Sequence, residues 1–101
     1  MPNRVYADMK KLRHDTEALI DQTRYRITTH ARATHAELPE TAKLAVVRLG
    51  SKDKPDAKRG PKDGVYLCWA RHPTFGLCRG VYAIEDTSTG PIVVVISAFK
   101  E

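Results

Sequence analysis

The sequence predicts an α+β domain in which N-terminal helices pack on one face of a three-stranded antiparallel β-meander. Three observations carry this. Apolar residues recur with a helical period early in the chain, β-branched and aromatic runs fill its C-terminal part, and a charged stretch rich in Pro and Gly lies between them.

Between Asn3 and Thr23, the residues Val5, Met9, Leu12, Leu19 and Ile20 follow the i, i+3, i+4 rhythm, with Thr16 filling the missing turn. That spacing predicts an amphipathic helix over residues 3–23, with Asn3 as its N-cap and Lys10, Arg13, Glu17 and Asp21 on the solvent side. Residues 28–50 read as a helical segment. "HARATHAE" is rich in alanine, while "LPETAKLAVVRLG" has Pro39 in a first-turn position, Glu40 near the positive helix end and Gly50 as its stop. Residues 51–63 scatter Lys52, Lys54, Lys58, Arg59 and Lys62 among Asp, Pro and Gly, with no apolar side chain larger than Ala57. This predicts a flexible basic loop, either a solvated connector or an arm that grips phosphates. From 64 to 101, "VYLCWARH", "GLCRGVYAIED" and "PIVVVISAFKE" read as strands joined by the short connections "PTF" and "TSTG".

A chain of 101 residues has room for one modest core, so residues 1–101 are read as a single domain. The 17 Lys and Arg against 12 Asp and Glu leave a charge of +5, which favours contact with polyanions. No apolar run approaches the ~20 residues that span a bilayer, and "MPNRVYADMKKLRH" lacks the apolar centre of a signal peptide. A cytoplasmic location with no membrane partner is therefore expected, and Cys68 and Cys78 are expected as reduced, half-buried thiols.

A tight turn at Pro73 and Thr74 would set Arg79 opposite Cys68, and a longer loop after Glu85 would set Ser97 opposite Arg79. Side chains alternate along strands, so one face would gather Val65, Leu67, Trp69, Cys78, Tyr82, Ile84 and Val94 beneath the helices. The other would gather Tyr66, Cys68, His72, Arg79, Ser97 and Phe99 as a half-open surface with convergent polar groups. Arg79 in mid-strand requires either a carboxylate partner, such as Glu85 or Glu37, or a bound anion to which Ser97 adds a hydroxyl.

His30 and His35 are five apart and do not share a helix face, CxxC is absent, and the predicted register separates the cysteines, so no metal is expected. No cofactor is expected either, because P-loop, GxGxxG and GxSxG patterns are missing. What remains is a set of His, Arg, Lys, Tyr and Ser side chains. Such groups suffice for cutting RNA without metal: a base takes the 2′-hydroxyl proton, an acid protonates the leaving oxygen, and cations stabilise the phosphorane-like charge. His30 and His72 are the candidates for proton transfer; each also reads as an ordinary surface histidine.

The leading helical part, "TTHA", the Pro-opened helix, the basic loop and a final strand "VVVISAF" together resemble the barnase/colicin/RelE-like (BECR-fold) ribonuclease toxins. Within them the pattern is similar to small bacterial and phage domains that open with His-Ala on a helix and close with Ser/Thr-Ala-aromatic. The resemblance covers about residues 26–101 and matches His30-Ala31, Arg79 and Ser97-Ala98-Phe99. It departs at Thr34, where those domains usually carry an arginine, and in its longer basic loop. The resemblance implies a metal-independent endoribonuclease. His30 would be its base or acid, Arg79 its phosphate ligand, Ser97 and Tyr66 positioning groups, and His72 a second proton carrier. Lys52, Lys54, Lys58, Arg59 and Lys62 would grip RNA, and an antitoxin or a host protein would be a further partner. Two other readings stand beside it: a small non-enzymatic protein, of the kind phages encode, that inhibits a host protein, and a nucleic-acid-binding module without catalysis.

Overall fold

The three C-terminal runs do pair antiparallel, but they form the middle of a larger sheet. In the computed structural model, which describes residues 3–101, the elements are α1 (Met9–Asp21), β1 (Tyr25–Ile27), α2 (Thr29–Ala33), α3 (Glu40–Arg48), β2 (Ser51–Pro55), β3 (Val65–His72), β4 (Gly76–Thr87) and β5 (Gly90–Lys100). The fold is α+β with a five-stranded mixed sheet in the order β1-β5-β4-β3-β2, rather than a three-stranded meander. β1 pairs with β5 in parallel, and every other neighbour is antiparallel.

Two expected elements change character. The basic loop begins as an edge strand, β2, with a bulge between Ser51 and Lys54 and Lys52 at φ 57°. Helix α1 starts at Met9, capped by the Asp8 carboxylate on Lys10 N at 2.9 Å, rather than at Asn3. The preceding residues are drawn to the sheet instead. Beyond Ala83, where β3 stops pairing, Asn3 bridges Glu85 and Arg4 N donates to Ile84 O at 2.7 Å. Among the described residues no helix is long and apolar enough to cross a membrane.

Turn length sets the faces. The β3–β4 hairpin leaves Pro73, Thr74 and Phe75 between the paired His72 and Gly76, and Gly76 takes φ 78°, the left-handed residue that a three-residue hairpin loop requires. One extra turn residue slides the register by one, so Arg79 sits opposite Trp69 instead of Cys68, and every β3 side chain changes face. The β4–β5 loop, by contrast, is shorter than expected, with Thr87 pairing Gly90, but a bulge at Ile96 restores the parity. Ser97 and Phe99 therefore stay on the face of Arg79, with Phe99 opposite it and Ser97 opposite Val81.

The helices pack on the other face. Leu12, Leu19 and Ile20 of α1 and Val47 of α3 meet Tyr66, Cys68, Tyr82, Ile84, Val93 and Val95, and Leu38, Ala42 and Val46 continue this core over Ala70, Cys78 and Ala98. Both cysteines are fully buried here, on one face rather than two. A Cβ on Gly80 would lie 3.0 Å from Cys68 Sγ and 3.2 Å from Val47 Cγ2, so the absence of a side chain lets α3 close on β4.

Two buried polar links fix what borders the helix-free face. Arg13 of α1 donates to Asp53 of β2 from Nε at 3.0 Å and Nη2 at 2.6 Å, the Tyr82 hydroxyl donates to the same carboxylate, and Arg13 Nη1 reaches Val47 O at 2.6 Å. Burial is the largest single influence on Arg13 and opposes its charge, but the Asp53 hydrogen bond together with the surrounding charges outweighs it and holds the guanidinium protonated; burial and then Asp53 push the Tyr82 hydroxyl well above its ordinary range. At the other end of the sheet, Lys43 is 2% exposed and its ammonium donates to Ala31 O and to Thr34 O, pinning the turn that follows α2.

Candidate functional site

The helix-free face carries a row of alternating cations and rings that crosses the sheet. Ser51, Trp69, Arg79 and Phe99 are successive cross-strand partners on β2, β3, β4 and β5. Lys54 Nζ lies 5.3 Å from the centre of the Trp69 ring, and Arg79 Cζ lies 5.2 Å from Trp69 and 5.8 Å from Phe99. Beyond Phe99 stands His35, held at φ 52° on the turn pinned by Lys43, its ring 4.9 Å from that of Phe99 and inclined at 32°. Each neighbouring pair is within cation–π or ring-stacking range.

This row opens at its β2 end into a groove of about 500 Å³ lined by Ser51, Lys52, Lys54, Trp69, Arg71 and Leu77. Among the described residues the groove cations Lys52, Lys54 and Arg71 enter no ion pair, a property they share with Lys10, Arg24, Lys43, Lys58, Lys62 and Lys100 elsewhere, whereas Arg4, Arg13, Arg26, Arg32, Arg48 and Arg59 face carboxylates. Arg79 has one, with Glu101 Oε1 2.6 Å from its Nε, yet the N–H does not point at that oxygen and the nitrogen is shielded from solvent. The same oxygen accepts from Trp69 Nε1 at 3.1 Å.

The residues expected to act together are only partly assembled. Arg79 and Ser97 share the face, with Ser97 nearly buried beside Val81. Tyr66 does not join them: the register slip turns it into the helix-packed core, where its hydroxyl accepts from Tyr6 N at 2.6 Å. His72 also turns to the helix side and serves the hairpin, its Nδ1 accepting from Thr74 N at 3.0 Å and its ring 5.0 Å from Phe75. His30 is exposed on α2, and its side chain makes no hydrogen bond or ion pair among the described residues. Lys52 and Lys54 line the groove, while Lys58, Arg59 and Lys62 are exposed in the β2–β3 connection, where Arg59 stands 3.9 Å from Asp56.

Two members of the row escape the sequence reading. Trp69 looks like a core residue because its run is apolar, and His35 looks solvated because nothing local announces its left-handed turn. A signal for Trp69 does exist: Gly76 is the only glycine in "RHPTFGLC", and a three-residue loop that closes just before it gives the observed register.

No protein-family model, curated protein or solved structure matches the chain. The site must therefore be read from its own chemistry: one face of a five-stranded sheet bearing spaced rings, cations between them and a groove of cations without carboxylate partners.

Proposed function

We propose that the protein binds single-stranded RNA across the helix-free face of its sheet. The observation that carries this is the row Lys54, Trp69, Arg79, Phe99, in which each ring has a cation beside it. Strands lie ~4.8 Å apart, so Trp69 and Phe99, two strands apart, offer stacking surfaces about 10 Å from one another with a guanidinium between. Bases splayed from a single strand stack on such rings at about 1–3 kcal/mol each, and a phosphate between them meets Arg79. A duplex keeps its bases inside and gains only the electrostatic part.

Anisotropy titration of a labelled single-stranded RNA tests this. Saturable binding that weakens steeply with salt, exceeds that of the matching duplex and falls with Arg79→Ala and Lys54→Ala supports the reading. Equal affinity for the duplex, or no effect of Arg79→Ala, would sink it.

A second reading, metal-independent cleavage of the bound strand, is favoured by one observation: His35 stands at the end of the row that holds Arg79. On this reading a histidine moves the 2′-hydroxyl proton and Arg79 stabilises charge on the phosphorane. The resemblance to ribonuclease toxins points to His30 and the geometry to His35. Incubating RNA with the protein in EDTA, and with His30→Ala and His35→Ala separately, decides between them. RNA left intact at high protein concentration would leave binding alone.

A further inference from the structure

Glu101 places a carboxylate in the middle of the cation–aromatic row. Its backbone N–H donates to Leu77 O at 2.9 Å, which continues the β4–β5 ladder past Lys100 and fixes where the side chain starts. One carboxylate oxygen then accepts from Trp69 Nε1 at 3.1 Å and lies 2.6 Å from Arg79 Nε, whose N–H is not directed at it. This is the point between the Trp69 and Phe99 rings at which a strand lying along the row brings a phosphate. Carboxylate and phosphate oxygens compete for the same guanidinium donors, and a guanidinium grips best through two aligned N–H groups. Glu101 gives Arg79 a misaligned contact, and the Nε is left shielded without a well-directed acceptor.

We propose that Glu101 occupies the phosphate seat of Arg79 in the free protein and is displaced when single-stranded RNA binds. The inference rests on the RNA-binding reading above. Glu101 is then a competitor rather than a base-reading contact: it sets the affinity by holding Arg79 until a better anion arrives, and it keeps the indole N–H satisfied meanwhile.

Glu101→Gln tests this, because it keeps the shape and the acceptor for Trp69 while removing the charge. Binding of a short labelled oligouridylate at low salt should tighten by about two- to fivefold, the effect of removing one exposed ionic competitor. Glu101→Ala should tighten it as well. Glu17→Gln makes the same change in net charge on the helical layer, where Glu17 faces Arg13 and Arg48, and should alter affinity less. Affinity for Glu101→Gln equal to that of Glu17→Gln, or weaker than the unaltered protein, would overturn the seat proposal while leaving RNA binding in place. Failure of all the proteins to bind would overturn the RNA-binding reading and the seat with it.

Discussion

Replacing Asp53 with asparagine is expected to destabilise the protein by about 3–5 kcal/mol, the usual result of removing one partner from a buried ion pair. The Arg13 side chain is 16% exposed and that of Asp53 only 5%, so water cannot take the place of the lost charge. Arg13 would keep the neutral acceptors Val47 O at 2.6 Å and Arg48 O at 3.3 Å, and its remaining carboxylate, Glu17, stands 3.9 Å away and is 40% exposed, too distant and too solvated to replace Asp53. The Tyr82 hydroxyl would lose its charged partner too. With a urea slope of roughly 1 to 1.5 kcal/mol per M for a domain of this size, the unfolding midpoint should fall by about 2 to 5 M. Equilibrium urea unfolding followed by far-UV circular dichroism reads this directly. The double variant Arg13→Met/Asp53→Leu, which removes both charges, should be more stable than Asp53→Asn alone. A midpoint within about 0.5 M of the unaltered protein would refute the claim that this clamp holds β2, and with it Lys52 and Lys54, against the helices.

Lys43→Met should cost about 1–3 kcal/mol, because the ammonium that satisfies Ala31 O and Thr34 O is replaced by a group that cannot donate. Hydrogen exchange should then speed up across residues 34–37; unchanged exchange would remove Lys43 as the support of His35. Gly80→Ala should cost about 1–3 kcal/mol in the same urea assay by crowding Cys68 and Val47, and a neutral result would mean that α3 can retreat freely. Alkaline pH should destabilise the fold. Burial pushes the Cys68 thiol up to about 12, and burial and then Asp15 push the Tyr6 hydroxyl to about 12. These folded values lie above the unfolded ones, so the stability they contribute is whole below the unfolded values, about 8.5 for a thiol and about 10 for a phenol, and is lost as pH rises towards 12. The urea midpoint should therefore fall steadily from about pH 9 upward, and a flat profile to pH 11 would contradict the burial of these groups.

The first helix, the helical character of the α2–α3 segment and the strands β3 to β5 are legible because periodicity survives in local sequence: the 3.6-residue rhythm of Leu12, Thr16, Leu19 and Ile20 and the β-branched run at Val93–Val95. Arg79, Ser97 and Phe99 were placed on one face correctly, although through two offsetting shifts, a shorter β4–β5 loop and the bulge at Ile96. Trp69 was misplaced because one residue in the β3–β4 turn inverts a whole strand, and turn length is set by the conformation of Gly76 rather than by its identity alone. β2 was invisible for a different reason. "SKDKP" carries no apolar alternation, since its one core-side anchor is the charged Asp53, whose partner Arg13 lies 40 residues away. β1 is only three residues long and exists through pairing with Val93–Val95. The site suffers most from such non-local causes, because the rings, cations and His35 are joined by register and by the buried Lys43 rather than by sequence spacing.

Trp69 is the only tryptophan in the chain and stands in the middle of the row, between Lys54 and Arg79. Its intrinsic fluorescence is therefore a direct report on whether RNA uses this face. Titration with unlabelled single-stranded RNA should quench and shift the emission along a saturable curve, with the same midpoint as the anisotropy titration and a weaker response for Phe99→Ala. Binding seen by anisotropy with no change in Trp69 emission would place the RNA elsewhere and contradict the account.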